Sequence, residues 1–184
     1  PADYKIFFRE AGLLSQPVIT KAADGRSKMI WSIDNIKALD LKYFVPPAEN
    51  ILPCLYVNPE KFRYDDHDGY VKGWNDYGIW MSGLLMNRDV IPPELQSKLA
   101  AMIADCPDTR SKVARIYKYL QENTRYVAIA LGIGGLQPAP AAEVAKYGYG
   151  DCKGLSNFMK AMLSSAGIKS YYAEIGNGSR KIKP

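Results

Sequence analysis

The chain has 184 residues and 47% apolar content, enough to build a core as one large domain or two small ones, and this composition excludes a disordered, collagenous or coiled-coil protein. Charge is unevenly spread within the net +5: 12 basic and 15 acidic residues up to Thr109 give −3, and 12 basic and 4 acidic from Arg110 onward give +8, an asymmetry that marks a module boundary or an anionic partner. No run approaches the ~20 consecutive apolar residues of a membrane span. The start has no signal-peptide pattern, and Cys54, Cys106 and Cys152 are too few for a disulfide scaffold.

Residues 3 to 80 read as strands and turns. Lys5–Arg9 is a short apolar run, and Met29, Trp31 and Ile33 share one face at period two. Cys54–Val57 and Phe62–Tyr64 look like further strands, with Asp24-Gly25 and Asp68-Gly69 as hairpin turns. The expected arrangement is an antiparallel β module of sandwich type.

From Pro92 the spacing becomes helical. Leu95, Leu99, Met102 and Ile103 form one stripe behind a proline pair that a first turn accepts. After Pro107, Asp108 or Thr109 can cap a second helix that carries Val113, Ile116, Tyr117 and Leu120. Residues 124–150 read as a short extended stretch at Tyr126–Ala130 and then a long irregular loop. Gly132, Gly134, Gly135, Pro138 and Pro140 interrupt regular structure there. A loop of that length inside a compact domain points to function. Beyond Asp151, Leu155, Phe158, Met159, Met162 and Leu163 predict an amphipathic helix, with Gly167 as its left-handed cap. Cys152 falls on the same face in the first turn, which directs the thiol toward whatever the helix packs on. Ser170–Ile175 alternates as a strand for that packing, and Gly176-Asn177-Gly178 reads as a turn.

Gly150-Asp151-Cys152-Lys153 is the sharpest local feature. A thiol at a helix N-terminus meets unpaired N–H groups and the positive end of the dipole, which favour a thiolate, and Lys153 adds positive charge beside it. The competing reading is a small buried apolar residue. The one histidine, His67, lies in Tyr64–Gly69, which reads as a solvated hairpin tip. As a calcium loop that run has Tyr64 and Asn75 where carboxylates belong. Gly132-Ile133-Gly134 lacks the third glycine of a dinucleotide fingerprint, since position 137 is Gln137, and no P-loop is present. No C-x-x-C pair supports zinc. No cofactor and no metal are therefore expected. Arg110, Lys112, Arg115 and Lys118 lie opposite an apolar stripe and read as a solvated face, so nucleic acid is not an expected partner.

Thr124-Arg125-Tyr126-Val127, Leu131–Pro138 and Tyr149–Lys153 together resemble bacterial transglutaminase-like proteins of the papain-like cysteine superfamily. Trp31-Ser32-Ile33 and Gly73–Gly78 resemble the later part of the DUF3857 domain that often precedes such a domain. The resemblance implies an α+β chain. Residues 1–86 would form an antiparallel β-sandwich-like module, and 87–184 the helical first half of a transglutaminase-like cysteine domain. It also implies a cysteine acyl-transfer enzyme or protease acting on a peptide or protein, with Cys152 as nucleophile. The family's His and Asp would lie on strands beyond Tyr171–Ile175, so the chain is expected to be a fragment that lacks both. Gln137 is a candidate second donor to the oxyanion, beside the Cys152 N–H, with packing of the loop as the competing reading. The alternative is a non-catalytic protein- or glycan-binding module. Relatives of this arrangement imply the bacterial cell envelope or periplasm.

Overall fold

The computed structural model describes residues 6–11, 15–36, 38, 46 and 51–176. Two compact units divide the chain: one takes in 1–63, 68–73 and 175–184, the other 64–67 and 74–174.

The first unit is built from two-stranded antiparallel ladders. Strand β1 (Ile6–Ala11) pairs with β4 (Cys54–Pro59) in the register Ile6↔Pro59 to Ala11↔Cys54. Strands β2 (Val18–Lys21) and β3 (Ser27–Ile30) make a hairpin closed at Asp24-Gly25, where Gly25 holds φ +83, as the turn chemistry predicts. Met29, Trp31 and Ile33 are half-buried while Lys28, Ile30, Ser32 and Asp34 are exposed, which is the period-two face read from the sequence. Strand β5 (Lys61–Tyr64) pairs with β6 (His67–Tyr70).

The turn of that last hairpin is Asp65-Asp66, with Asp65 at φ +50, and not Asp68-Gly69. Gly69 is a strand residue lying beneath the Phe62 ring, and a Cβ there would sit 2.2 Å from the Phe62 Cζ. The glycine is required by an aromatic ring packed over the backbone.

The second unit is helical. Helix α1 (Trp74–Leu85) replaces the strand-and-turn reading of residues 74–80. Its buried positions are Met81 and Leu84, and the spacing Trp74, Tyr77, Met81, Leu84 carries the helical signal that the local glycines mask. Asn87, at φ +61, turns the chain out of it. Helix α2 (Pro93–Met102) starts with proline at its first position. Helix α3 (Thr109–Asn123) starts at Asp108, whose carboxylate accepts from the Ser111 N–H at 2.7 Å while the Ser111 hydroxyl reaches back to the Asp108 N–H at 3.3 Å.

Inside the stretch read as a long loop lie a 3-10 turn at Gly132–Gly135 and helix α4 (Ala141–Tyr147). Pro140 sets the extended entry to α4, and Gly148, at φ +67, ends it. A Cβ on Gly148 would meet the Asn123 carbonyl at 3.1 Å. Strand β7 (Arg125–Tyr126) then runs parallel to β8 (Tyr149–Gly150), so the chain reaches α5 from a fixed point.

Helix α5 (Cys152–Ser165) is the centre of the core. Its Phe158, Ala161, Met162 and Leu163 join Leu95, Leu99, Ile103, Cys106, Ile116, Leu120, Ala141 and Val144 in one buried cluster. A Schellman motif closes it: the Ile168 N–H donates to Leu163 O at 2.8 Å and the Gly167 N–H to Ser164 O at 3.0 Å, with Gly167 at φ +71. Past this cap the expectation of a strand fails, because Ser170–Ile175 pairs with no described strand. Tyr171 and Ile175 are 78% and 85% exposed, while Tyr172 is half-buried. The face that turns inward is therefore the opposite of the one the alternation suggested.

Ile116 is fully buried at the middle of α3. Ile116→Val should lower stability by about 1 kcal/mol and Ile116→Ala by about 3 kcal/mol, whereas Leu131→Ala at an 86% exposed position should change it by less than about 0.5 kcal/mol. Urea midpoints of the three variants check the ranking.

Candidate active site

Asp151 fixes where α5 begins. It is 5% exposed, sits in extended backbone, and accepts from the Gly154 N–H at 2.8 Å through one carboxylate oxygen. Its other oxygen is ion-paired with Lys153, whose side chain is 14% exposed. Lys153 is thus committed to the carboxylate beside the thiol, which corrects the expectation of a free positive charge there. The pair cancels charge that would otherwise oppose a thiolate at the same turn.

Cys152 occupies the first helical position and is exposed. It does not lie on the packing face, contrary to the spacing from Leu155. The buried stripe begins at Gly154 and continues through Asn157 and Phe158, about half a turn away from the thiol. All three cysteines are free, Cys106 within the helical core and Cys54 half-buried on β4. The Cys152 thiol has no hydrogen-bond partner among the described residues.

The loop before α4 packs on this same first turn of α5. A Cβ on Gly154 would lie 3.5 Å from the Ala139 Cβ, so the glycine admits the loop at contact distance. Two residues upstream, Gln137 is half-buried, and its backbone N–H is used by Ile133 O at 2.7 Å. Its side-chain amide has no hydrogen-bond partner among the described residues.

His67 lies half-buried on β6 and makes no hydrogen bond to Cys152. The hairpin tip is exposed, as the sequence suggests, and Tyr64–His67 belongs to the helical unit. The Ile133 N–H donates to Asp65 Oδ2 at 2.7 Å, and the Tyr64 hydroxyl donates to Gly132 O at 3.3 Å. Gly132, at φ +51, leaves only 3.0 Å between a would-be Cβ and Asp65 Oδ2. The acidic tip caps the 3-10 turn that leads to Gln137.

A second group at the site escaped the sequence reading. Burial, and then the negative charges of Glu174, Cys152 and Asp151, push the Tyr172 phenol up to about 12. Burial and a 2.5 Å hydrogen bond to Glu174 likewise raise Tyr77. The Tyr77–Glu174 bond ties the segment after α5 to α1. Nothing in the adjacent pair Tyr171-Tyr172 marks Tyr172 in advance.

Residues 97–177 match the family model of the transglutaminase-like superfamily. That stretch holds α3, α4, Gln137 and the whole Asp151–Cys152 turn. A solved structure described as a "putative protease" from Parabacteroides distasonis superposes with a TM-score of 0.61 at 16% identity. The match covers 89% of this chain but 30% of that one, so the chain spans under a third of its length. The shared fold supports the mixed α and β architecture. No curated protein matches. Among the described residues no helix is long and apolar enough to cross a membrane.

Asp151→Ala removes the cap of α5 and should cost about 1–2 kcal/mol, with Asp151→Asn closer to the parent because an amide oxygen still caps; urea denaturation measures both. Tyrosine ionisation followed in the ultraviolet should show a late titration near pH 12 that Tyr172→Phe removes. Cys152→Ser should move that titration downward by deleting one negative charge. With the folded phenol raised above its ordinary value of 10, its contribution is intact below pH 10 and is lost as pH rises toward 12.

Proposed function

We propose that this chain carries the nucleophile-bearing half of a cysteine acyl-transfer or protease site, with Cys152 as nucleophile and a peptide or protein carbonyl as substrate. The observation that carries this reading is an exposed thiol at the first residue of α5, set there by the buried Asp151 cap, in a stretch that matches the transglutaminase-like superfamily.

The chemistry follows from the turn. The backbone N–H groups of Cys152 and Lys153 stand in the first turn of α5, where no carbonyl of the helix can reach them. They meet negative charge on the sulfur and on the oxygen it creates. Thiolate attack forms an S–C bond and a tetrahedral oxyanion. The Cys152 N–H holds that oxygen, and the Gln137 side-chain amide supplies the second donor. Collapse expels the amine, which takes up a proton, and leaves a thioester that water or another amine releases. The proton acceptor in this reading is an imidazole oriented by a carboxylate, as the resemblance implies, supplied from beyond the α5 region. His67 lacks a bond to the thiol and has no role in it.

Exposure alone makes Cys152 more reactive than the buried Cys106, so the discriminating comparison is with the same thiol in unfolded chain. Iodoacetamide should alkylate Cys152 at least about tenfold faster in the folded protein than in urea, and faster than Cys54 or Cys106, as read by peptide mass spectrometry. A folded-state rate no higher than the unfolded one removes the activated nucleophile. His67→Ala should leave that rate unchanged.

A further inference from the structure

We propose that Arg88 is a positioning residue of the Cys152 site, acting through the Gln137 turn. This rests on the reading of Cys152 as nucleophile and adds a residue far away in sequence, in the segment between α1 and α2.

Arg88 is tied by both ends of its structure to the loop that carries Gln137. Its guanidinium Nη1 donates to Pro138 O at 3.1 Å, the carbonyl immediately after Gln137. Its own carbonyl accepts from the Ala141 N–H at 2.7 Å, at the start of α4. The same carbonyl accepts from Asn157 Nδ2 at 2.7 Å, one and a half turns beyond Cys152 on α5. Asn157 Nδ2 also lies 3.4 Å from Ala139 O. One arginine therefore clasps the segment 137–141 at its beginning and its end while holding the nucleophile helix.

Asn157 makes the arrangement hard to read as ordinary packing. It is 1% exposed and its Oδ1 has no hydrogen-bond partner, so an amide is kept in the core with one half unsatisfied. Burying such a group is unfavourable, and a leucine would fill the volume without that cost. What the amide supplies is the bridge between α5, Arg88 O and Ala139 O. The neighbouring Asp89 reinforces it through Lys160 of α5 at 2.6 Å. Asn87, held left-handed at φ +61, delivers the chain into this position. With Ala139 packed on Gly154, the result is a fixed offset between Gln137 and the first turn of α5.

The full chain tests this with two electrophiles. p-Nitrophenyl acetate acylates the thiol through an oxyanion: the S–C bond forms, the acyl C–O bond breaks and p-nitrophenolate leaves. Iodoacetamide alkylates by direct displacement of iodide and forms no oxyanion. Arg88→Met keeps the aliphatic stem and removes the donor. It should slow Cys152 acetylation on the order of tenfold, a fraction of what loss of a whole oxyanion donor costs, while leaving alkylation unchanged. Arg88→Lys should recover most of the acetylation rate. In a Gln137→Ala background, Arg88→Met should have no further effect. Equal loss of acetylation and alkylation, or an Arg88→Met effect of the same size with and without Gln137, overturns the proposal. If Gln137→Ala acetylates normally while Cys152 is still the preferred site, the positioning role fails and the nucleophile stands. If Cys152 is not preferentially acetylated in the parent chain, the nucleophile reading falls and this inference with it.

Discussion

The carboxylate of Asp151 decides where α5 starts, and the rest of the site is arranged around that decision. A helix of this length has several possible first residues, and its apolar stripe alone leaves the end free to fray. The buried bond from the Gly154 N–H to Asp151 Oδ1 removes that freedom. It places Cys152 at the first helical position, off the buried stripe, with Lys153 folded back on the second oxygen. The thiol is exposed because position 152 lies across the helix from the buried Gly154, Asn157 and Phe158.

The remaining structure fixes this turn from three directions. Behind it, Phe158, Met162 and Leu163 anchor α5 in a core shared with α2, α3 and α4. On the approach, the parallel β7–β8 bridge and the left-handed Gly148 fix the chain at Gly150. Beside it, the Gly132–Pro140 loop is held by the buried Pro138 and the half-buried Ala139 and by hydrogen bonds, from Asp65 and Tyr64 at one end and from Arg88 and Asn157 at the other. An irregular loop makes few backbone hydrogen bonds within itself, so its remaining backbone groups are satisfied by partners supplied from outside. Those partners come from parts of the sequence separated from the loop by up to 68 residues.

The sequence makes some of this legible. The stripes of α2, α3 and α5 and the Gly167 cap follow from helical spacing and turn chemistry, because burial and local backbone conformation are written in adjacent residues, except that Tyr117, expected on the α3 stripe, is 51% exposed and Tyr119 packs on the core instead. The Asp24-Gly25 hairpin follows for the same reason. Other features depend on partners distant in the chain. Gly69 carries the signature of a turn but answers to the Phe62 ring, and Asp65 sits in an acidic run that looks solvated yet caps the Gly132–Gly135 turn. Helix α1 is masked by Gly78 and Gly83, and α4 by the prolines before it. The Cys152 position is readable as a helix start, but its exposure is not, since Leu155 suggests the wrong face. Arg88 and Asn157 give no local signal, because their role consists of bonds to carbonyl groups.

A capped helix bearing an exposed cysteine, with an unengaged glutamine amide on the loop packed against its first turn, is what the proposed acyl-transfer site rests on. The most direct measurement is the site and rate of covalent labelling by a peptidyl vinyl sulfone, which needs both a reactive thiol and a surface beside it that accepts a peptide. The account predicts a single adduct on Cys152, formed faster than with free glutathione and lost in Cys152→Ser. Labelling no faster than glutathione, or spread over Cys54, Cys106 and Cys152 according to exposure, would contradict it and leave the fold as a binding module.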